Sequence, residues 1–203
     1  MVAAMAYAAV CFGRVPVVLF LKYDPKDILI TLGGVLLGPM AVLRTSVAVS
    51  LLEMLTISDT GPLGCFMNIL STCSFALPAA FLSRRSRSRR GLVLGLLAGG
   101  AAMLLVMLLW NALITPIYMG YPREAVLQLL LPAFLPFNLI KGGLNAAATL
   151  LLYKPVITAL RRLNLIEPTR SPEKARLNIG VILTALLILI TCILLILSFR
   201  DII

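Results

Sequence analysis

The sequence predicts an all-α integral membrane protein, and its composition and the arrangement of its apolar segments are the reasons. Of its 203 residues, 61% are hydrophobic and 13% are charged, and the mean hydropathy is +1.04. A soluble domain carries about 25% charged residues, so these values are typical of a surface that faces lipid. The apolar residues form successive runs separated by short polar or basic segments, which predicts one multi-pass helical bundle.

The apolar runs and the turn residues between them predict seven long helices and one short amphipathic segment. Two of the runs, 28–38 and 39–55, are shorter than the roughly 20 residues of a spanning helix, so we expect them to be tilted or incomplete. The expected helices are 1–21, 28–38, 39–55, 63–82, 91–119, 136–160 and 178–197, with the amphipathic segment at 122–134.

A polar segment near the C-terminus divides the chain. It contains Pro168 and Pro172, which favour an irregular linker. We therefore expect a bundle at 1–162, a cytoplasmic linker at 163–177 and an additional C-terminal transmembrane helix at 178–203.

The basic residues predict the topology of the bundle. The formal net charge is +10, and the run at Ser83–Arg90 reads SRRSRSRR between two apolar segments. Basic loops between membrane helices remain in the cytoplasm, so alternation places the N-terminus inside and the 22–27 loop outside. The same argument explains the net charge without nucleic acid, since the chain has no soluble basic face with interleaved aromatic residues.

Cysteine and histidine usage excludes several kinds of site. The chain has four cysteines, all within apolar runs and without C-x-x-C spacing, and it has no histidine. Zinc sites, c-type haem sites and histidine-based catalysis are therefore poorly supported. We expect the thiols to be buried and inert, and we expect neither a metal site nor an enzyme.

A polar stripe runs along the expected helix at 136–160. Asn138, Lys141, Asn145 and Thr149 follow one another at steps of three or four residues, which places them on one helix face. A lysine at the centre of a membrane helix costs about 2.5–3.5 kcal/mol, so the stripe needs partners or a ligand. One interpretation is hydrogen bonding between helices, and the other is a binding site.

The loop before the second helix has a structural interpretation of its own. Asp24 precedes Pro25, and a helix with proline at its first position is well suited to an acidic N-cap. Asp27 would then lie at the positive end of the helix dipole. We expect a capped, stiff loop at the mouth of a pocket.

Two separated stretches resemble a known family. They are Pro136–Gly142, which reads PFNLIKG, and Phe20–Asp27, which reads FLKYDPKD. In this order they resemble motifs of the riboflavin-specific (RibU-type) substrate-binding components, or S components, of the energy-coupling factor (ECF) vitamin transporters. Lys26 stands where the FLKYDPSD loop of that family has serine. Arg14 at membrane depth is a second departure, and Glu53 is a candidate partner for it.

The resemblance implies a six-helix bundle over residues 1–162 that binds riboflavin from outside the cell. The motif implies Asn138 and Lys141, a weaker N-x-x-x-x-P-x-Y match implies Asn111, and Asn68 and Asn145 follow from position alone. Amides match the donor and acceptor edge of the flavin ring, and the ammonium group offers donors. The expected riboflavin-binding residues are Tyr23, Asp24, Asn68, Asn111, Asn138, Lys141 and Asn145.

The resemblance also implies protein partners in a bacterial cell membrane. Ala4 and Ala8 form a small-xxx-small pair that permits close helix contact, and a similar pattern in the family contacts the transmembrane coupling protein. The chain contains no G-x-x-x-x-G-K-[ST] loop, so it cannot hydrolyse ATP by that route. Two ABC ATPases of the coupling module are therefore expected to supply the energy. The seventh helix lies outside the resemblance.

Two alternative functions remain open at this point. The first is an S component for another vitamin, which would share the scaffold but should lack the two motifs. The second is a membrane enzyme acting on lipid or isoprenoid phosphates. That enzyme could use the basic loop for its substrate, but the chain lacks the clustered acidic residues that hold a metal.

Overall fold

The architecture is a helical bundle with one small β-hairpin at one end. The computed structural model describes residues 1–18, 21–58, 60–86, 88–120, 122–162 and 179–202, so the linker expected at 163–177 lies outside the described residues. The elements in chain order are α1 (Val2–Gly13), β1 (Val15–Val18), β2 (Leu21–Tyr23), α2 (Lys26–Leu37), α3 (Pro39–Thr56), α4 (Gly61–Ser86), α5 (Arg89–Leu113), α6 (Thr115–Met119), α7 (Arg123–Leu129), a π-helical turn (Leu130–Phe134), α8 (Leu135–Arg162) and α9 (Ile179–Ile202).

The expected order of long helices is confirmed in the part of the chain that the structure describes. Four helical segments there are long and apolar enough to cross a membrane: 39–56, 61–86, 90–113 and 123–159. The helices α1 and α2 have 12 residues each, so they are shorter than a full span, as expected for the second run. The chain is a multi-pass membrane protein.

The expectation of one helix over residues 1–21 is wrong. Helix α1 ends at Gly13, Arg14 is extended, and Val15 pairs with Tyr23 in an antiparallel hairpin. Pro16 explains the change, because proline has no N–H for the helix ladder and disfavours helical backbone in the residue before it. The β-branched valines of β1 favour the strand.

The expected cap at Asp24 is also wrong. Helix α2 begins at Lys26 with Pro25 at its N-cap, and no side chain caps it. The Asp24 carboxylate turns instead to Arg14, whose Nε lies 2.6 Å from its Oδ1. A full positive charge attracts the carboxylate more strongly than the partial charge of a helix end.

The polypeptide between α5 and α8 is broken into short pieces. The expected helix at 91–119 ends at Leu113, and α6 follows with a proline in its first turn. The expected amphipathic segment at 122–134 is α7 plus the π-helical turn. Val126 and Phe134 from this segment pack against Val17 and Leu21 of the hairpin. The segment of α7 and the π-helical turn therefore holds the hairpin in place through apolar contacts.

Helix α9 packs antiparallel along α8 and forms part of the bundle. Cys192 is buried with Ile140 and Leu144, and both Ile196 and Tyr23 of the hairpin pack against this cluster. Gly143 permits this contact, since a Cβ there would lie 3.1 Å from the Cys192 sulfur. Most of the other large side chains of α9 are exposed and apolar, which suits a face in contact with lipid.

Helices α4 and α5 form the most closely packed pair, and glycine makes the approach possible. A Cβ at Gly99 would lie 2.1 Å from the Phe75 carbonyl oxygen, which is backbone and cannot move aside. Phe75, Leu96 and Met103 are buried beside this contact. The spacing of these two helices, which carry Asn68 and Asn111, therefore depends on Gly99.

We expect Gly99→Ala to destabilise the ligand-free protein by about 1–3 kcal/mol, because the methyl group would force α4 and α5 apart. Gly100→Ala is the matched control. Among the described residues, nothing outside its own helix lies within 4 Å of a Cβ at that position, and alanine improves helix propensity by up to about 1 kcal/mol. Melting curves in detergent check this prediction, and equal melting temperatures for the two variants would contradict it.

Candidate ligand-binding site

A cleft opens at the hairpin end of the bundle and has two adjoining parts. The mouth pocket encloses about 640 Å³, open solvent included, between the hairpin, the α3–α4 loop and the end of α5. The deep pocket has a volume of about 360 Å³, open solvent included, between β2, α4, α5 and α8. Lys22, Met67 and Asn68 line both pockets, so the two pockets adjoin.

The deep pocket combines apolar walls with a few polar groups. Leu21, Met67, Met107 and Phe137 supply apolar surface. The polar lining consists of Lys22, Asn68, Ser71, Asn111, Asn138 and Lys141. An apolar slot with few, fixed polar groups is the usual form of a small-molecule site.

Of the seven sequence-predicted site residues, four meet in the deep pocket, one lines the mouth pocket and two line neither. Asn68, Asn111, Asn138 and Lys141 line the deep pocket, and Asp24 lines the mouth pocket. Tyr23 and Asn145 line neither pocket among the described residues.

Tyr23 and Asn145 are hydrogen-bonded to each other, and Asn145 is also hydrogen-bonded to Asp27. The Tyr23 hydroxyl donates to Asn145 Oδ1 at 3.1 Å, and Asn145 Nδ2 donates to Asp27 Oδ2 at 3.3 Å. Burial raises the pKa of Tyr23, and the carboxylates of Asp27 and Asp24 add to this effect, so the phenol keeps its proton and donates. Asn145 therefore joins the hairpin to α2 and α8.

The pocket amides have fixed orientations. Asn138 Nδ2 donates to the Phe134 carbonyl at 2.8 Å, and Asn68 Nδ2 donates to Glu53 Oε2 at 3.1 Å. Each amide thus uses one of its two N–H donors on the protein and keeps its Oδ1 oxygen as an acceptor for the cleft. Asn111 donates to Met107 and accepts from Thr115, so one lone pair of its oxygen remains.

Lys141 is held at the base of the deep pocket by two groups. Its Nζ lies 3.1 Å from Asp27 Oδ2 and donates to Ser71 Oγ at 3.1 Å. Thr72 donates to the other Asp27 oxygen at 2.6 Å. A buried lysine is costly unless it is paired, and this pair is enclosed by α2, α4 and α8.

A second charged cluster lies at the mouth. Arg14 bonds Asp24 at 2.6 Å and Glu53 at 2.9 Å, which confirms Glu53 as its partner. Lys26 also bonds Glu53. The Lys26, Glu53 and Asp24 side chains are at most 5% exposed. This cluster, which we call the mouth cluster, ties the hairpin and α2 to α3.

Sequence reasoning missed several residues of the site. It placed Lys22 and Asp27 in the loop at the mouth of the pocket but did not name either as a binding residue, and it did not consider Ser71 or Thr72 at all. Ser71 and Thr72 resemble ordinary helix residues in the sequence. Asp27 did carry a signal, because a lysine within an apolar run needs an acidic partner and the chain has only eight acidic residues.

The face of α1 that carries Ala4 and Ala8, which we expect to contact the coupling protein, is exposed on the surface of the bundle. Ala4 and Ala8 are both exposed on α1, together with Met5, Cys11 and Phe12. The expectation that all four thiols are buried is therefore wrong for Cys11 and correct for the other three. The opposite side of α1 buries Ala6 and Val10. The small residues thus lie on the outer surface and do not pack inside the bundle.

Comparison with known proteins identifies the family. The family described as "ECF transporter, substrate-specific component" matches residues 1–153, which is most of the chain. The chain belongs to this family. It is therefore a transport component, and the alternative of a membrane enzyme on lipid phosphates is not supported.

Two relatives of this S component are named riboflavin transporters. "Riboflavin transporter FmnP" of Bacillus subtilis (strain 168) is 30% identical over 132 residues, covering 61% of this chain and 70% of that protein. "Riboflavin transporter RibU" of Staphylococcus aureus (strain TCH60) is 27% identical over 150 residues, covering 71% and 79%.

A solved structure described as "Structure and mechanism of the S component of a bacterial ECF transporter" shares the fold. Its TM-score is 0.66 at 28% identity, and it covers 80% of this S component and 94% of its own chain. The family match ends at residue 153, so α9 lies beyond it.

We expect Glu53→Gln to destabilise the ligand-free S component by about 3–5 kcal/mol. A neutral amide cannot balance Lys26, whose ammonium would then remain buried with Asp24 at 4.0 Å as its nearest carboxylate. Glu124→Gln on the exposed face of α7 is the control and should have little effect. Thermal unfolding without ligand checks this, and a Glu53→Gln protein as stable as the control would contradict the role of the mouth cluster.

Proposed function

We propose that this S component binds riboflavin in the cleft and passes it across a bacterial cell membrane with an ATP-driven coupling module. The observation that carries the proposal is the deep pocket, where an acceptor oxygen of Asn138 and the ammonium group of Lys141 lie side by side on one face of α8. Both named relatives are riboflavin transporters, which supports this ligand over another vitamin.

The flavin ring suits the deep pocket. Isoalloxazine is a flat aromatic plate whose polar edge has an N–H between two carbonyl groups. Asn138 Oδ1 offers an acceptor for that N–H, and Lys141 offers a donor for a neighbouring carbonyl. Phe137, Met67 and Met107 supply apolar surface for the plate.

The ribityl chain suits the mouth pocket. Its hydroxyl groups need donors and acceptors, and Ser58, Thr60, Thr115 and Asp24 line this space. Trp110 and Leu63 also line this space and would face the carbon backbone of the ribityl chain. The ring would thus enter first and the chain would point towards the hairpin end.

The positive-inside effect supports an orientation for this uptake. Arg84, Arg85 and Arg90 are exposed near the α4–α5 loop, at the end of the bundle away from the hairpin. Cytoplasmic placement of this loop puts the cleft outside and the N-terminus inside. The Ala4/Ala8 face of α1 is then the contact for the transmembrane coupling protein, whose two ABC ATPases supply the energy.

A flavin titration tests the proposal directly. Protein purified from a cell membrane should be yellow, and the purified, ligand-free protein should quench riboflavin fluorescence in a saturable way. Thiamine, biotin and folate serve as competitors and should not displace the flavin. If one of them binds and riboflavin does not, the proposed ligand is wrong.

We expect Asn138→Ala to weaken riboflavin binding roughly 5- to 150-fold, because the ring N–H would lose its partner at a cost of about 1–3 kcal/mol. Thr149→Val on the same face of α8 is the control. The Thr149 hydroxyl is buried without a hydrogen-bond partner in the described part of the chain, so its loss should not affect binding. Fluorescence titration gives the affinities, and normal binding by Asn138→Ala would exclude the ligand role.

We expect Ala4→Trp or Ala8→Trp to abolish riboflavin uptake by cells while the isolated protein still binds the vitamin. A tryptophan at this exposed position would keep the coupling protein from approaching α1. Ala101→Trp, at an exposed position on α5, is the matched control and should permit uptake. Radiolabelled uptake and in vitro titration are compared, and an equal loss in both assays would contradict a role of these alanines in coupling alone.

A further inference from the structure

Asp27 is enclosed by polar partners but does not reach the ligand cleft. Its side chain is fully buried. One oxygen accepts from Thr72 at 2.6 Å, while the other accepts from Asn145 at 3.3 Å and pairs with Lys141 at 3.1 Å. Asp27 lines neither pocket. Any influence on a ligand must therefore pass through one of these partners.

Lys141 is the partner that faces the cleft. An ammonium group has three N–H donors. Asp27 takes one and Ser71 takes the second, and these two fixed acceptors determine the direction of the third. Because Lys141 lines the deep pocket, that third donor is available to a ligand carbonyl.

The charges point to the same role. Asp27 carries −1 and Lys141 carries +1, so the pair adds no net charge to the base of the pocket. The pocket thus offers a directed donor to a neutral heterocycle. Without the carboxylate, the ammonium group would lose both its counter-charge and one of the two contacts that orient it.

We propose that Asp27 is a positioning residue for riboflavin, which holds the Lys141 ammonium group in the direction that donates to the flavin ring. This inference rests on the proposed function. Thr72 and Asn145 in turn hold Asp27, so the hydrogen-bonded chain extends from α4 through Asp27 to Tyr23 of the hairpin.

A double-mutant cycle on riboflavin affinity tests the proposal. Asp27→Asn and Lys141→Met should each weaken binding roughly 10- to 150-fold, the range for a hydrogen bond to a charged group. The double variant should bind no more weakly than Lys141→Met alone, because Asp27 acts only through the lysine. The full-length protein is used, and the melting temperature without ligand is measured for each variant.

A second pair of variants, which leaves the buried charges intact, tests the proposal if Asp27→Asn does not fold. Thr72→Val removes the hydroxyl that holds the Asp27 carboxylate, and we expect a loss in affinity of about 3- to 10-fold. Thr31→Val is the matched control, because the Thr31 hydroxyl donates to the Asp27 backbone carbonyl at 2.6 Å. It should change affinity by less than about 2-fold.

Three outcomes would overturn the proposal. The first is a normal riboflavin affinity in Asp27→Asn. The second is a loss of affinity in the double variant equal to the product of the losses in Asp27→Asn and Lys141→Met. The third is an equal riboflavin affinity in Thr72→Val and Thr31→Val. A lower melting temperature with unchanged affinity would likewise leave Asp27 as a structural residue. If the unmodified protein does not bind riboflavin at all, the proposed function fails instead.

Discussion

The ion pair between Asp27 and Lys141 is the interaction on which the rest of the structure depends. Two charges in an apolar bundle are tolerated only when both are paired and their remaining sites are satisfied. Here the partners come from α2, α4 and α8, and Asn145 extends the set to the hairpin. The need to satisfy one buried pair thus determines how four elements meet, and the deep pocket lies directly beside that meeting point.

The mouth cluster shows how this chain accommodates two further cations, Arg14 and Lys26, beside the cleft. Arg14 and Lys26 add two positive charges near the cleft, and both bond Glu53. With the Asp27–Lys141 pair, the ion-paired side chains are three cations, Arg14, Lys26 and Lys141, and three carboxylates, Asp24, Asp27 and Glu53. Their charges balance, so the hairpin remains attached at the mouth.

The sequence predicted the helices well and the hydrogen-bonded partners poorly, for physical reasons. Apolar runs and basic loops depend on the bilayer alone, so the helix order and the stripe on α8 could be predicted from local pattern. The hairpin was missed because the valines beside Pro16 are as apolar as the residues of a membrane helix, so hydropathy does not separate the strand from the helix before it. Asp27 pairs with Lys141, which lies 114 positions further along the chain. Thr72 bonds Asp27 from 45 positions away. No local sequence pattern carries information about contacts at such separations.

The polar residues of the stripe on α8 differ in their contacts according to their depth in the bundle. Asn138 and Lys141 line the cleft, and each keeps a group directed to it. One turn further, Asn145 uses both ends of its amide within the protein. Thr149 is buried and lines neither pocket. This change from pocket-lining to protein-bonded polar groups along α8 follows from the position of the cleft at the end of the bundle. Groups that face a ligand must be oriented by polar groups behind them, and those groups then cannot contact the ligand themselves.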